Sequence, residues 1–363
     1  MLRPVRKTLL AAVLATFIIS YILHHPEIHG RIYSDIVAFW TRPLVYNNRI
    51  PYIETSFEYP PIAGLVTYLS ATIGRNVSLY YTVFSIFLLI GYLVTVLAAD
   101  EIAQSRDIKE HVSIMFLALA PSLYFYLVYN FDIMFTAFLM LSFLYLERDR
   151  SSLSAVFFGL TALTKLMNLI LLPIFLMFIK GWRKRIYYIL TSLGVFAVVN
   201  LALFAVKPEV MAETYLHHVR WGLENAWFIV FFPSEDSWDT AKLFSMFLVG
   251  YGLMKVYLSR FGDLYERSFM AFSAFLLGTY VFTPQMVLWL LPFLAIIGRF
   301  SPAFFIMELA NVGIILTWFT SPEPQKFGSI PQYLAILRAA ALFYLLIEVY
   351  VEARRRGWSR EED

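Results

Sequence analysis

Long apolar runs, each closed by a proline, a glycine or a cluster of charge, alternate along this chain with short polar connections. At about 20 residues per membrane crossing, the pattern predicts about eleven or twelve helices. They fall over 8–24, 77–102, 112–129, 132–147, 152–165, 167–180, 186–206, 239–258, 268–283, 285–298, 303–320 and 332–352. The apolar piece 61–73 reaches only about 20 Å as a helix, short of a hydrocarbon core about 30 Å thick, and is predicted to be juxtamembrane or re-entrant. The run from Thr8 to Leu23 follows Arg3, Arg6 and Lys7 but has no small-residue cleavage site before His24-His25-Pro26. It is therefore expected to remain as the first helix rather than leave as a signal peptide.

One polar stretch departs from the pattern. Between Tyr33 and Pro61 the chain carries Asp35, Arg42, Asn47, Asn48, Arg49, Tyr52, Glu54 and Glu58 among aromatic residues. Tyr59-Pro60-Pro61 forces an extended, rigid approach to the next helix and fixes Glu58 in space. Basic clusters flank the apolar runs and set their orientation. With a cytoplasmic N-terminus, Arg106, Lys109, Arg148, Arg150, Arg183-Lys184-Arg185 and Arg354-Arg355-Arg356 all fall inside, together with Arg3 and Arg360. Counting 61–73 as a full span would put Arg183 to Arg185 outside. Under this topology the C-terminus is also cytoplasmic. The 35–58 loop, Asn130-Phe131-Asp132, Lys165, the 207–236 loop and Thr283-Pro284-Gln285 then share the extracytoplasmic face.

Composition agrees with the pattern. Of 363 residues, 60% are hydrophobic and 15% charged, with a mean hydropathy of +0.66. The fold class is all-α, a polytopic transmembrane bundle forming one domain over 1–363, with a motif-rich part at 1–180 and a more variable part at 181–363. The net charge of +3 gives no reason to expect nucleic acid as a partner, and membrane lipids are the expected surroundings. The absence of cysteine excludes disulfides, thiolate metal sites and a cysteine nucleophile. No glycine-rich phosphate loop is present, which speaks against an ATP or nucleotide-sugar site.

Chemistry is expected at the shared outer face. Asp35 and Glu58 are two separated carboxylates in one loop; the alternative is that they are solvated or paired with Arg31, Arg42 or Arg49. Asp132 lies between apolar runs, where a carboxylate must face protein or a watery cavity, or else cap the following helix with Asn130. The stretch from Arg148 to Lys180 is too short for two full spans, so Lys165 and Asn168 at its tip should sit below the headgroups. There Lys165 either meets a lipid phosphate or snorkels to the interface. His217, Arg220 and Glu224 would line one face if that segment is helical, with His218 beside them. The paired histidines also admit a metal, but no third ligand stands at a recognisable spacing.

These motifs resemble the GT-C superfamily of integral membrane glycosyltransferases, which use polyprenyl-phosphate sugars as donors. The resemblance rests on Tyr33-Ser34-Asp35, Pro51-Tyr52, Phe57-Glu58-Tyr59-Pro60-Pro61, Asn130-Phe131-Asp132, Leu163-Thr164-Lys165, and Thr283-Pro284-Gln285 with Trp289 and Pro292. It is strongest to mannosyltransferases acting on phosphatidylinositol mannosides, and looser to the first mannosyltransferase of GPI-anchor assembly. The resemblance implies that Asp35 is the catalytic base. A single aspartate stands where some members carry an acidic pair, which leaves a divalent cation open and implies no other cofactor.

The expected function is transfer of a hexose, with inversion, from a polyprenyl- or dolichyl-phosphate sugar to a lipid-linked or glycan hydroxyl. Asp35 and Glu58 are the expected catalytic residues. Tyr33, Tyr59, Asn130, Asp132, Lys165, His217, His218, Arg220, Glu224 and Gln285 are the expected substrate contacts. A transporter or lipid flippase is the rival reading; it predicts an internal repeat and binding groups near the bilayer midplane. A non-enzymatic assembly subunit is the third reading, in which no outer carboxylate is indispensable.

Overall fold

The computed structural model describes residues 6–359, and Arg3 and Arg360 lie outside them. In chain order the helices are α1 (Lys7–His24), α2 (Asp35–Phe39), α3 (Pro43–Tyr46), α4 (Pro61–Ile73), α5 (Val77–Ser105), α6 (Glu110–Leu117), α7 (Pro121–Tyr126), α8 (Asp132–Glu147) and α9 (Ser151–Ala162). A 3-10 turn, Leu166–Leu171, leads into α10 (Leu172–Phe178), followed by α11 (Trp182–Val206), α12 (Pro208–Val219), α13 (Trp238–Leu258) and α14 (Leu264–Gly278). A second 3-10 turn, Pro284–Trp289, leads into α15 (Leu291–Ile297), and α16 (Pro302–Trp318) and α17 (Ile330–Ser359) complete the bundle. No strand occurs among the described residues.

Five helices, α1, α5, α11, α13 and α17, are long and apolar enough to cross a membrane. Of the other expected spans, 112–129, 167–180 and 285–298 are assembled from shorter pieces, and 132–147, 152–165, 268–283 and 303–320 correspond to the single shorter helices α8, α9, α14 and α16. The predicted 112–129 helix is broken at Ala118-Leu119-Ala120, because Pro121 cannot continue a helix but suits the first turn of the next. The carbonyls released by the break find side chains from other helices. Thr16 donates to Ala118 O at 2.6 Å and Tyr92 to Leu117 O at 2.6 Å. The predicted 268–283 helix instead runs Leu264–Gly278, since Asp263 and Glu266 form a reciprocal capping box that starts it early. Pro61–Ile73 is a separate short helix, as the apolar pattern predicts.

The two ends of the bundle differ. At one end the connections after α5, α8, α13 and α15 meet in a belt of ion pairs. Arg6 pairs with Asp100 (3.3 Å), Arg106 with Asp263 (2.5 Å), Arg148 with Glu101, Arg299 with Glu348 and Glu352, and Arg356 with Glu266. The opposite end gathers the polar loop after α1, the α7–α8 and α9–α10 junctions and the segment after α14.

At that opposite end Tyr52 adopts a left-handed backbone (φ 66°), and its buried hydroxyl donates to Tyr59 O (2.7 Å) and Pro60 O (2.9 Å). The ring lies flat on α4 at Gly64, where a Cβ would fall 2.2 Å from the Tyr52 hydroxyl. Gly64 is thus the position that lets Tyr52 hold the Tyr59-Pro60 turn. Gly64→Ala should cost about 1–3 kcal/mol through overpacking and lower the thermal midpoint. An unchanged midpoint in purified protein would show that Tyr52 can move without loss.

Candidate active site

The site is built on a connection between distant segments. Ser34 donates to Val128 O (3.0 Å) and Tyr129 O (3.2 Å), and Ile36 N donates to Tyr129 O (3.3 Å). This pins the start of α2, and hence Asp35, against the α7–α8 junction. There Asn130 Nδ2 donates to Asp35 Oδ2 at 2.8 Å. Tyr33 lies beside Asp35, and its ring meets that of Phe319 at a tilt, with centroids 4.5 Å apart.

Asp132, one residue beyond Phe131, opens α8 and is fully buried. It makes no capping bond, so the capping alternative is not what holds it. Its Oδ1 accepts from Lys165 Nζ (2.6 Å) and from Trp289 Nε1 (2.7 Å). Lys165 is extended between α9 and the 3-10 turn, and its ammonium also lies over the rings of Phe131 and Trp289. It stands at the tip of a short helix pair, after the 12-residue α9.

Lys165 lines a cavity of about 340 Å³ together with Glu58, Tyr59, His218, Trp221, Thr283 and Gln285, with mostly apolar side chains between them. Thr283 Oγ1 and Gln285 Oε1 are buried without a hydrogen-bond partner, as is Asp132 Oδ2. Such atoms are rare in folded proteins and mark where a ligand or water completes the structure. Glu58 is paired with Arg42, the local partner that the sequence leaves open. Asp35 does not line this cavity. It meets the cavity's residues through Asn130 and through Tyr59, which faces both Asn130 and Asp35.

The segment after α12 departs from expectation. Helix α12 stops at Val219, so His217, Arg220 and Glu224 do not form one helical stripe. Gly222 sits where any side chain would meet the Trp238 ring, and the chain turns extended beyond it. Arg220 is exposed and paired with Glu213 (2.9 Å), and neither it nor His217 lines the cavity. Glu224 lies in a short bridge to the segment after α14, with Glu224 N donating to Tyr280 O and Phe282 N to Glu224 O, both 2.9 Å. Its carboxylate accepts from Trp221 Nε1 at 2.9 Å. His218 stacks on Trp221 and meets Tyr59 edge-on. Among the described residues no group of three His, Cys, Asp or Glu side chains is placed to hold a metal ion.

Burial shifts the ionisable groups. The Asp35 carboxyl is raised from 3.8 to about 6, chiefly by desolvation, against the pull of Asn130, Tyr33 and Lys165. Glu224 is raised to about 7, first by desolvation and then by Asp35. His218 is lowered to about 4 by desolvation, His217 and Lys165, so it is neutral near pH 7. Tyr33 is pushed up by burial and by Asp35. Sequence reasoning missed Trp221 and the buried Arg338 behind Glu224; a charge inside the 332–352 apolar run was the available signal.

An all-α bundle with its ion pairs at one end, and buried carboxyls, a lysine and orphaned polar oxygens around a cavity at the other, defines a polytopic membrane enzyme. Residues 57–322 match glycosyltransferase family 87, and the chain belongs to that family. It is accordingly a membrane glycosyltransferase. Asp35 lies ahead of the matched region, so its place in the site rests on geometry. No curated protein matches the chain. Among solved structures, ArnT from Cupriavidus metallidurans bound to undecaprenyl phosphate is similar, with a TM-score of 0.50 and 15% identity over 95% of this chain and 71% of that one. The same protein in the apo state gives 0.49 and 15%, covering 96% and 72%. The likeness is one of fold, the GT-C fold.

The Asp35 shift has a stability consequence. A folded value near 6 lies above the unfolded 3.8, so the half-buried carboxyl favours folding most when protonated, and that contribution is lost as pH rises through about 6. Asp35→Asn cannot ionise and escapes the loss. Its thermal midpoint should exceed that of the unsubstituted protein at about pH 8, and the gap should close by about pH 4. A lower midpoint at pH 8 would mean that the ionised carboxylate gains more from its neighbours than burial costs it.

Proposed function

We propose that the protein moves one hexose from a polyprenyl- or dolichyl-phosphate sugar to a hydroxyl of a lipid-linked or glycan acceptor, on the extracytoplasmic face and with inversion. Mannose is the sugar that the sequence resemblance favours. The observation that carries the reading is the Lys165 ammonium, held by Asp132 in a largely apolar cavity beside the raised carboxyl of Asp35. An apolar wall with one fixed cation suits a lipid phosphate. The likeness in fold to a protein solved with undecaprenyl phosphate is consistent with such a donor.

In the proposed step, the acceptor oxygen attacks the anomeric carbon while its proton passes to Asp35. The bond from that carbon to the phosphate oxygen breaks, and the electron pair leaves with the carrier phosphate. Lys165 faces the departing charge, where a preorganised cation in a water-poor site is most effective. Neutral His218 and the free oxygens of Thr283 and Gln285 supply hydrogen bonds to sugar hydroxyls. The acceptor approaches on the Tyr33–Glu224 side of Asp35, and Glu58, held by Arg42, orients it. Asp35 has a value near 6, close enough to neutral pH to accept a proton efficiently and still be ionised beforehand. Arg220, turned outward onto Glu213, has no part in donor binding here. Membership in a glycosyltransferase family favours this reading over the transporter and over the assembly subunit.

Transfer from a polyprenyl-phosphate mannose by purified variants tests the roles. Asp35→Asn should lower the rate by about 10²–10⁴-fold with folding intact, and Glu58→Gln by less. Lys165→Ala should weaken donor use by roughly one to two decades, as a charge-assisted contact is lost, while Arg220→Ala stays near the parent. A dead Glu58→Gln beside an active Asp35→Asn would move the base to Glu58. The cysteine-free chain also permits a test of sidedness. A cysteine at Ser56 should react with an impermeant reagent from outside and one at Ser151 should not; the reverse would place the site in the cytoplasm.

A further inference from the structure

Arg338 lies about two turns into α17 and is completely buried. Charged side chains inside membrane helices are costly and are kept where they have work to do. Its guanidinium lies 3.6 Å from the Phe282 ring centroid. Nη1 donates to Asn311 Oδ1 (2.8 Å), and Nη2 donates to Asn225 O (3.0 Å) and to Phe282 O. Asn225 follows Glu224 directly, and Phe282 is the residue whose N–H bonds Glu224 O. Two of the three acceptors therefore belong to the backbone bridge that carries Glu224.

The third acceptor leads to the other wall of the site. Asn311 Nδ2 donates to Pro284 O (3.0 Å), next to Gln285, and to Ser122 Oγ (2.9 Å) on α7. Asn311 O accepts from Tyr126 at 2.7 Å, near the end of α7 that leads to Tyr129 and Asn130. Glu308 on α16 completes the contact, its carboxylate accepting from Ser122 N at 2.6 Å. One buried node on α16 and α17 thus touches the Glu224 bridge, the Gln285 turn and the helix behind Asn130.

We propose that Arg338 is a positioning residue for sugar transfer: it locks the Glu224 bridge and the Gln285 turn onto α7, and it presents its positive charge to Glu224. The role rests on reading the Asp35 end as the active site. Every acceptor of Arg338 is neutral, so its charge acts on the carboxyl that faces it rather than being cancelled at a hydrogen-bonded partner. Glu224 is faced by Asp35 from α2, by Tyr33 and Tyr129 from the segments beside it, by the Trp221 indole, and by Arg338 from α17. Of these, Arg338 alone favours ionisation of Glu224 by its charge, against burial and Asp35. Arginine suits the task because its planar fork reaches several fixed acceptors at once, which a lysine ammonium on a flexible stem does not.

The experiment combines a donor-independent readout with activity. Infrared titration of the purified full-length protein follows the protonated carboxyl band that Glu224→Gln removes. In Arg338→Gln this band should persist to a pH higher by at least about one unit, because the opposing cation is gone. In Arg338→Lys the band should move by less than about 0.3 unit, since the charge remains. Transfer from polyprenyl-phosphate mannose should fall at least about tenfold in kcat in both variants and in Asn311→Ala, with donor KM changed less than about threefold. Tyr188→Phe, in a buried hydroxyl cluster with Ser142 and Ser154 away from the site, is the control for lost stability alone. An Arg338→Gln protein whose Glu224 band does not move, or whose only loss is a lower thermal midpoint like that of Tyr188→Phe, overturns the proposal. Where Arg338→Gln does not fold, unaltered kcat in both Arg338→Lys and Asn311→Ala overturns it. An active Asp35→Asn instead overturns the site assignment, and a dead Asp35→Asn with unaltered Arg338 variants removes only the positioning role.

Discussion

A lysine ammonium 2.6 Å from a wholly buried aspartate is the contact on which the cavity end of this bundle depends. Removing both charges from water is expensive, and their attraction offsets the cost only when the geometry is good and the remaining valences are met. Here the geometry is supplied by three separate elements. Asp132 comes from the first turn of α8, Lys165 from the extended tip between α9 and the 3-10 turn, and Trp289, the second donor to the same oxygen, from the turn before α15. If Asp132 or Lys165 retreats, a buried charge is left uncompensated, at a cost of about 3–5 kcal/mol, whereas loss of Trp289 removes one hydrogen bond from the pair. That constraint explains why α9 is only 12 residues long. A longer α9 would carry Lys165 past Asp132.

The same economy separates the two ends. At the end with the belt of ion pairs, the charges are partly solvated, and each pair contributes little alone. Together they close the connections of α5, α8 and α14 into one surface. At the other end the chain leaves Thr283, Gln285 and one oxygen of Asp132 unpaired beside a cavity. Unpartnered polar atoms occur at both ends, but those of Thr283, Gln285 and Asp132 are the ones that gather around the cavity lined by Lys165.

Much of this was legible in the sequence, because hydrophobic runs report burial residue by residue. The short helix 61–73, the short α9 that ends before Lys165 and the gathering of Asp35, Asn130 and Asp132 at one end all follow from run length and charge placement. What was not legible is cooperative over long separations. The break at Ala118–Ala120 is tolerated because Thr16 and Tyr92, from other helices, meet the freed carbonyls. The supposed stripe of His217, Arg220 and Glu224 fails because Gly222 must clear Trp238, and because the partner of Glu224 is a backbone more than fifty residues away at Tyr280 and Phe282. Arg338 was visible as a charge in an apolar run, but the acceptors that give it a role become neighbours only when the chain folds.

The pairing of Asp35 with Glu224 gives the site its asymmetry. Both carboxyls are lifted by burial, one to about 6 and the other to about 7, and each disfavours ionisation of its neighbour. Protons therefore leave the pair in steps, and the first carboxylate to form is the one with more stabilising partners. Asp35 has the Asn130 amide, Tyr33 and the charge of Lys165, whereas Glu224 has the Trp221 indole and the charge of Arg338. Asp35 is thus the group that ionises first and Glu224 the one that holds a proton longest. On the proposed chemistry this is the useful order. The base is ready before the acceptor arrives, and the charge of Arg338 limits how firmly Glu224 is held protonated beside it.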